Sequence, residues 1–187
     1  MRRFVNAAAA ASIFVMLAGL LAGCSGEAEK AVPELPKRIC WNTFASSDVS
    51  PILPTGDKVT TSQGSFVLVE NLDSATCFVR VDGFPDFMAI ATLYDFESEI
   101  EWSSMDEARP KPINVGKKGI IWYSGIASYF ACEPSRGRNS PGKYIDLSIS
   151  TDRVPDRAKL PSVLPTLMRQ FVAFAQRELK CGTGNEN

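Results

Sequence analysis

The chain contains five cysteines, and their positions limit its fold more than any other feature. Four of them, Cys40, Cys77, Cys132 and Cys181, are separated by 37, 55 and 49 residues. Zinc sites and thioredoxin-type redox sites use closely spaced CxxC pairs, so these long spacings argue against both. Cys24 stands apart at the end of an apolar N-terminal stretch. In an exported chain, an even set of four cysteines predicts two disulfides.

The N-terminal segment is typical of an export signal. Arg2 and Arg3 precede an apolar stretch from Ala7 to Ala22, which is about 16 residues long, whereas a membrane span needs roughly 20. The stretch therefore suits a cleavable signal peptide better than an anchoring helix. Leu21-Ala22-Gly23-Cys24 resembles the lipobox of bacterial lipoproteins. The resemblance implies acylation of Cys24 by diacylglycerol and palmitate, which anchors the chain in the lipid bilayer on the extracytoplasmic face of the cell membrane.

With Cys24 lipidated, the other four cysteines allow three pairings. We predict Cys40–Cys77 and Cys132–Cys181, because this pairing ties each end of the domain to a central strand. Buried free thiols are the alternative. Each bridge would stabilise the fold by about 4 kcal/mol in the loop-entropy model.

The composition changes along the chain and predicts four regions. Residues 1–23 are the signal peptide, 24–37 the lipidated cysteine and a flexible polar tether, 38–182 a single globular domain, and 183–187 a disordered tail. Cleavage removes Arg2 and Arg3 and leaves 18 of the 20 basic side chains against 21 acidic ones. This balance argues against nucleic acid as a partner.

The hydrophobic pattern predicts strands first and a helix last. Residues 76–82 and 143–151 alternate between apolar and polar, as half-buried strands do. Residues 119–132 are typical of one long strand, or of two strands joined near Gly125. Residues 59–61 and 65–69 flank a turn signal and predict a hairpin.

The C-terminal segment has helical periodicity. Leu164, Leu167, Phe171 and Phe174 recur at spacings of 3 and 4, and we expect the helix to begin at or just before Pro165. The predicted class is α+β, an antiparallel sheet with a long C-terminal helix packed on one face and two disulfides.

A family resemblance is carried by short motifs, Cys40-Trp41-Asn42-Thr43-Phe44, Asp48-Val49, Ile52-Leu53 and Cys77-Phe78-Val79-Arg80-Val81. In their order they are similar to the small cell-surface lipoproteins of actinobacteria whose function is unknown. The resemblance covers roughly residues 38–181. It implies a sheet with helices in the outline of the PsbP-type fold, and it implies no catalytic residues.

The chain has no histidine, which excludes several enzyme classes. Ser-His-Asp and Cys-His nucleophiles, HExxH metal sites and imidazole proton transfer all need that side chain. Ser140 and Lys143 match the SxxK motif of Ser-Lys enzymes, but neither SDN nor KTG accompanies them. Proline and glycine separate the two residues, and we interpret the segment as a turn.

Four carboxylates, Asp95, Glu97, Glu99 and Glu101, occupy every second position. If the segment is a strand, all four lie on one face. Such a stripe could bind calcium, contact a basic partner or supply the paired carboxylates of a glycosidase. The plainest interpretation is the solvated face of an edge strand.

Two further sets could contribute to binding. The basic residues Lys117, Lys118, Arg136 and Arg138 could meet anionic headgroups or wall polymers. The aromatic residues could stack on sugars or fill the core: Trp41, Trp102, Trp122, Tyr123 and Tyr129.

These features together predict a non-catalytic binding or accessory domain of the cell envelope, whose partner is another envelope protein or a small ligand. We predict no cofactor, with calcium as the one exception considered. A carboxylate-dependent enzyme acting on cell-wall glycans and a structural assembly factor are the alternatives.

Overall fold

The computed structural model describes residues 32–133 and 141–181. The predicted signal peptide, the predicted lipidation site Cys24, the basic pair Arg136 and Arg138, Ser140 and the tail 183–187 lie outside the described residues. Among the helices in the described ranges, none has the length and apolar character to cross a membrane.

The described chain has nine strands and two α-helices. In chain order they are β1 (Arg38–Ile39), β2 (Phe44–Ala45), α1 (Ser46–Val49), β3 (Val59–Gln63), β4 (Ser74–Val81), β5 (Phe84–Tyr94), β6 (Lys111–Ile113), β7 (Lys118–Trp122), β8 (Gly125–Glu133), β9 (Lys143–Thr151) and α2 (Leu160–Glu178). Short 3₁₀ helices cover Ser50–Ile52, Glu97–Glu99, Ser103–Ala108 and Arg157–Lys159.

Seven of the strands form one antiparallel sheet in the order β3-β4-β5-β9-β8-β7-β6. Strand β9 enters the middle of this sheet and pairs with β5 and β8. The predicted segment 119–132 is two strands, β7 and β8, joined before Gly125. Together with α2, this sheet confirms the predicted α+β class.

One face of the sheet carries the core. Cys77 of β4, Ala89 of β5, Ile149 of β9 and Ile126 of β8 are register neighbours, and all four are buried. Helix α2 contacts β8 and β9 on this side. Its buried side chains follow the predicted helical spacing: Leu160, Leu164, Leu167, Met168, Phe171, Phe174 and Ala175.

Helix α2 begins earlier than predicted, at Leu160 rather than near Pro165. Pro161 lies in the first turn, where a missing N–H costs no helical bond. Pro165 lies inside the helix and removes one bond to a carbonyl of the first turn. Burial of Leu160 and Leu164, both 2% exposed or less, offsets this loss.

The structure contains both predicted disulfides. Cys40 is bonded to Cys77 with a Cα–Cα distance of 5.5 Å, and Cys132 to Cys181 with 4.6 Å. The first joins the β1–β2 turn to β4, and the second joins the end of β8 to the residues after α2. Each therefore connects one end of the described chain to an interior strand.

The predicted hairpin between residues 59–61 and 65–69 is wrong. Strand β3 pairs with β4, and Val69 makes only an isolated bridge to Leu72. Phe66 packs instead against Trp41 and Phe174, with ring centroids 5.0 and 4.8 Å apart. An apolar side chain in this loop therefore fills the core without belonging to a strand.

The predicted tether is also shorter than expected at its C-terminal end. Val32 and Leu35 pack against the core, and the Lys37 carbonyl accepts a hydrogen bond from the Ser46 N–H at 3.1 Å. Residues before Arg38 therefore belong to the folded domain.

An ion pair between a buried carboxylate and an exposed arginine fixes the end of the sheet where β4 turns into β5. Asp86 is fully buried and accepts hydrogen bonds from Nε and Nη2 of Arg153 at 2.8 and 2.6 Å. It also accepts the Val81 N–H at 3.2 Å, while Arg153 donates to the Val81 carbonyl. The pair joins the β4–β5 turn to the residues that follow β9. The buried Asp86 carboxylate is tolerated there because its charge is paired and its oxygens accept hydrogen bonds.

Candidate binding cleft

The second face of the sheet is covered less completely than the first. Phe78, Met88 and Ile90 point away from α2 and are half-buried. Residues 95–110, which connect β5 to β6, lie over part of this face. Their position follows from contacts that Glu97 and Trp102 make with β8 and β9.

A cleft of about 660 Å³ separates this connection from the sheet. Its outer wall comes from the two 3₁₀ helices Glu97–Glu99 and Ser103–Ala108 and the residues between them. Its inner wall is formed by Lys118 and Ile120 of β7 and Tyr129 of β8. The volume lies within the range of sites that bind small molecules.

Glu97 is the best-connected polar residue of the cleft. Its carboxylate accepts a hydrogen bond from the Tyr129 hydroxyl and a charged one from Lys117 Nζ at 2.6 Å. These two donors, the Lys117 ammonium first, hold the pKa of Glu97 below its usual range. Glu97 is therefore an ionised acceptor with a fixed orientation.

Tyr129 is the partner of Glu97 on the sheet. Tyr129 is only 7% exposed. Burial is the larger cause and the hydrogen bond to Glu97 the second, and together they raise the pKa of the phenol to about 12. The hydroxyl remains protonated at any ordinary pH and donates to Glu97.

Trp102 forms the aromatic wall of the cleft. Its ring meets Tyr129 edge-on, with centroids 5.7 Å apart, and the Lys118 ammonium lies 5.6 Å from its centroid. The indole N–H donates to Asp146 Oδ1 at 3.3 Å. Tyr129, Lys118 and Asp146, all residues of the sheet, thus hold the Trp102 ring in place.

Asp146 lies behind Trp102 rather than in the cleft. It is a register neighbour of Thr92 and Tyr129, and Tyr129 in turn is opposite Lys118, so these four residues form a line across β5, β9, β8 and β7. Burial raises the pKa of Asp146 to about 6, although the hydrogen bond from Trp102 acts in the opposite direction.

The predicted stripe of four carboxylates does not exist as a strand face. Strand β5 ends at Tyr94, and Glu97–Glu99 turns as a 3₁₀ helix, in which the Glu99 carboxylate accepts the Phe96 N–H at 3.0 Å. Glu97 and Glu101 line the cleft, but Asp95 and Glu99 do not. Within residues 32–133 and 141–181, no three acidic or cysteine side chains are grouped to hold a metal ion, so the geometry assumed for calcium is missing.

Of the basic and aromatic candidates, too, some belong to the cleft and others lie elsewhere. Lys117 pairs with Glu97 and Lys118 lines the cleft, so each joins the site. Trp102 and Tyr129 join it as well. Trp41 stacks on Phe171 in the core, with centroids 6.0 Å apart.

Trp122 ends β7 at the opposite end from Lys118, and Tyr123 follows it in the turn to β8. The Trp122 indole donates to Ser124 Oγ at 3.1 Å, and Tyr123 is 66% exposed. Of the SxxK pair only Lys143 is described, and its ammonium pairs with Glu133 at 2.8 Å.

Asp146 was missed at the sequence level. The alternation of residues 143–151 places it on the more polar face with Ser148 and Ser150, where a solvated carboxylate is the normal expectation. Nothing in the local sequence indicates that Trp102, 44 residues earlier, covers it.

No family model, no curated protein and no solved structure matches this chain. The resemblance to actinobacterial lipoproteins and the PsbP-type outline therefore remain predictions from the sequence.

Proposed function

We propose that this protein is a lipid-anchored extracytoplasmic binding protein of the cell envelope and that the cleft at Trp102 is its binding site. The observation that carries the proposal is the joint placement of Glu97, Trp102 and Tyr129. These residues come from two parts of the chain, and each has fixed partners. Their arrangement supports a binding role because a ligand would find the polar and aromatic groups already oriented.

The proposed location of the protein outside the cytoplasm has separate support. The lipobox and the apolar segment before it are typical of an exported lipoprotein. Two disulfides in one domain fit an oxidising compartment outside the cytoplasm.

The charge arrangement favours binding over catalysis. Glycosidases place two carboxyl groups on opposite sides of the bond to be cleaved, and one of them stays protonated as the acid. Among the described residues the carboxyl with a raised pKa is Asp146, which accepts the Trp102 indole N–H and does not line the cleft. Glu97, which does line the cleft, is held ionised by Lys117 and Tyr129.

Removing the aromatic wall should abolish binding. We expect the full-length Trp102→Ala variant to retain at least tenfold less envelope material than the wild type. The reason is that stacked ring surface provides much of the contact in such sites. The measurement is the amount of extract from the source organism's envelope captured on immobilised protein.

Tyr123→Ala is the matched control for this experiment. It removes an exposed aromatic ring about 16 Å along β7 from Lys118, outside the cleft. The proposal predicts full retention by this variant. Equal retention by wild type and Trp102→Ala would contradict it.

The lipid anchor is tested independently. Cys24→Ala should release the protein from the membrane fraction, because a chain without acyl groups has no strong bilayer contact. Fractionation followed by mass spectrometry of the N-terminal peptide measures both location and acylation. Unchanged membrane retention of Cys24→Ala would remove this part of the proposal.

A further inference from the structure

The polar groups that face the cleft are mostly hydrogen-bond acceptors. Carboxylates of Glu97, Glu101 and Asp106 line it, together with the hydroxyl-bearing Ser98 and Ser103. Carboxylates accept hydrogen bonds and donate none when ionised. A ligand that satisfies them must therefore present several donors.

The carboxylates of the cleft disfavour an anion, and a cation finds the Lys118 ammonium already beside the Trp102 ring. Three carboxylates repel an anion. A cation meets Lys118, whose ammonium already lies 5.6 Å from the Trp102 ring centroid, and Lys117, which neutralises Glu97. The cation–π position on Trp102 is thus taken by the chain itself.

The remaining feature is the Trp102 ring beside these acceptors. An aromatic plane packs against a flat, partly apolar ring, while carboxylates at its edge accept hydrogen bonds from hydroxyl groups on the same ring. Sugar rings combine these two properties. A volume of about 660 Å³ is large enough for more than one such ring.

We propose that the cleft binds a neutral glycan, with one sugar ring packed on Trp102 and its hydroxyl groups donating to Glu97, Glu101 and Asp106. This inference rests on the proposed function and adds the ligand class to it. The ligand is a glycan of the envelope, or a fragment of one, that carries no net charge at the bound rings.

Binding of defined probes to the full-length detergent-solubilised protein tests the inference. We expect saturable changes in tryptophan fluorescence with a neutral oligosaccharide, maltotriose or cellotriose, and none with tetramethylammonium or inorganic phosphate. Glu97→Gln should weaken oligosaccharide binding about tenfold, because it replaces a charged acceptor by a neutral one. Glu133→Gln, which removes a carboxylate paired with Lys143 elsewhere on the surface, should leave it unchanged.

Treated envelope extracts provide the second arm. Periodate, which cleaves sugars at vicinal diols, should remove the Trp102-dependent retention, whereas protease digestion should not. Retention that survives periodate, together with no response to either oligosaccharide, would overturn the glycan inference and leave the binding function standing. Loss of Trp102 dependence with the untreated extract would instead contradict the proposed function itself.

Discussion

Replacing Cys40 and Cys77 together by alanine should lower the free energy of unfolding by about 4 kcal/mol. The bridge closes a loop between residues 37 positions apart, and opening that loop raises the entropy of the unfolded chain. This is a large part of the 5–15 kcal/mol that typically separates folded and unfolded domains.

The local backbone explains why this bridge matters to the fold as well as to the unfolded chain. Cys40, Trp41 and Asn42 have φ values of 49°, 57° and 63°, a left-handed run that side chains disfavour. Arg38 holds the turn by donating to the carbonyls of Asn42 and Thr43 at 2.7 and 2.8 Å. Without the disulfide we expect this turn to relax and Trp41 to leave its place against Phe171.

Urea unfolding followed by tryptophan fluorescence measures the effect. The matched comparison is the Cys132→Ala, Cys181→Ala variant, which opens a loop of similar length, 49 positions, and whose described ends contain one left-handed residue, Lys180, instead of a run of three. We expect both variants to be destabilised and the Cys40, Cys77 variant to be the less stable. A midpoint for the latter equal to that of the wild type would contradict this account of the β1–β2 turn.

Asp146→Asn should stabilise the protein at neutral pH by up to about 3 kcal/mol. The folded state raises the pKa of Asp146 from 3.8 to about 6, because ionisation of the buried carboxyl is costly. Two pKa units correspond to about 3 kcal/mol. Asparagine keeps an acceptor for the Trp102 indole and carries no charge.

The sign of the pH dependence follows from the same shift. Between pH 3.8 and about 6 the folded state binds more protons at this position than the unfolded state, so the contribution of Asp146 to stability falls as the pH rises. Below this window wild type and Asp146→Asn should be equally stable with respect to this group, and above it the variant should have its full advantage.

Unfolding curves at pH 3.5 and 7.5 test this expectation. Asp95→Asn, which removes an exposed carboxylate just beyond β5, is the control and should show no such gain at pH 7.5. An Asp146→Asn variant less stable than the wild type at pH 7.5 would mean that the charged form of Asp146 supports the fold.

The regular elements of the fold could be predicted because their signals are local. Alternation gives β4 and β9, the spacing of Leu164, Leu167 and Phe171 gives α2, and the cysteine pairing agrees with the observed bridges. The strand and helix inferences each use residues within one element. The disulfide inference uses four cysteines, which allow only three pairings.

The acidic stripe shows where local patterns mislead. Alternating charges at residues 95–101 are compatible with a strand, but they are equally compatible with a 3₁₀ turn in which Glu99 bonds back to Phe96. The apolar positions between them, Phe96 and Ile100, are too few to distinguish the two.

The cleft could not be predicted because its contacts are distant in sequence. Glu97 and Tyr129 are 32 residues apart, and Trp102 and Asp146 are 44 apart. The acidic, basic and aromatic candidate sets each contained members of the site, but only the topology of β7, β8 and β9 brings Glu97, Lys118, Trp102 and Tyr129 together.

The central claim, that the Trp102 cleft is the binding site, is tested most directly by the three indole N–H signals in a ¹H–¹⁵N spectrum of the full-length protein. Each has its own acceptor: the Gly64 carbonyl for Trp41, Asp146 for Trp102 and Ser124 for Trp122. On addition of envelope extract we predict that the Trp102 signal shifts while those of Trp41 and Trp122 stay in place. A Trp102 signal that does not move while the extract binds, or a shift confined to Trp41 or Trp122, would contradict the account.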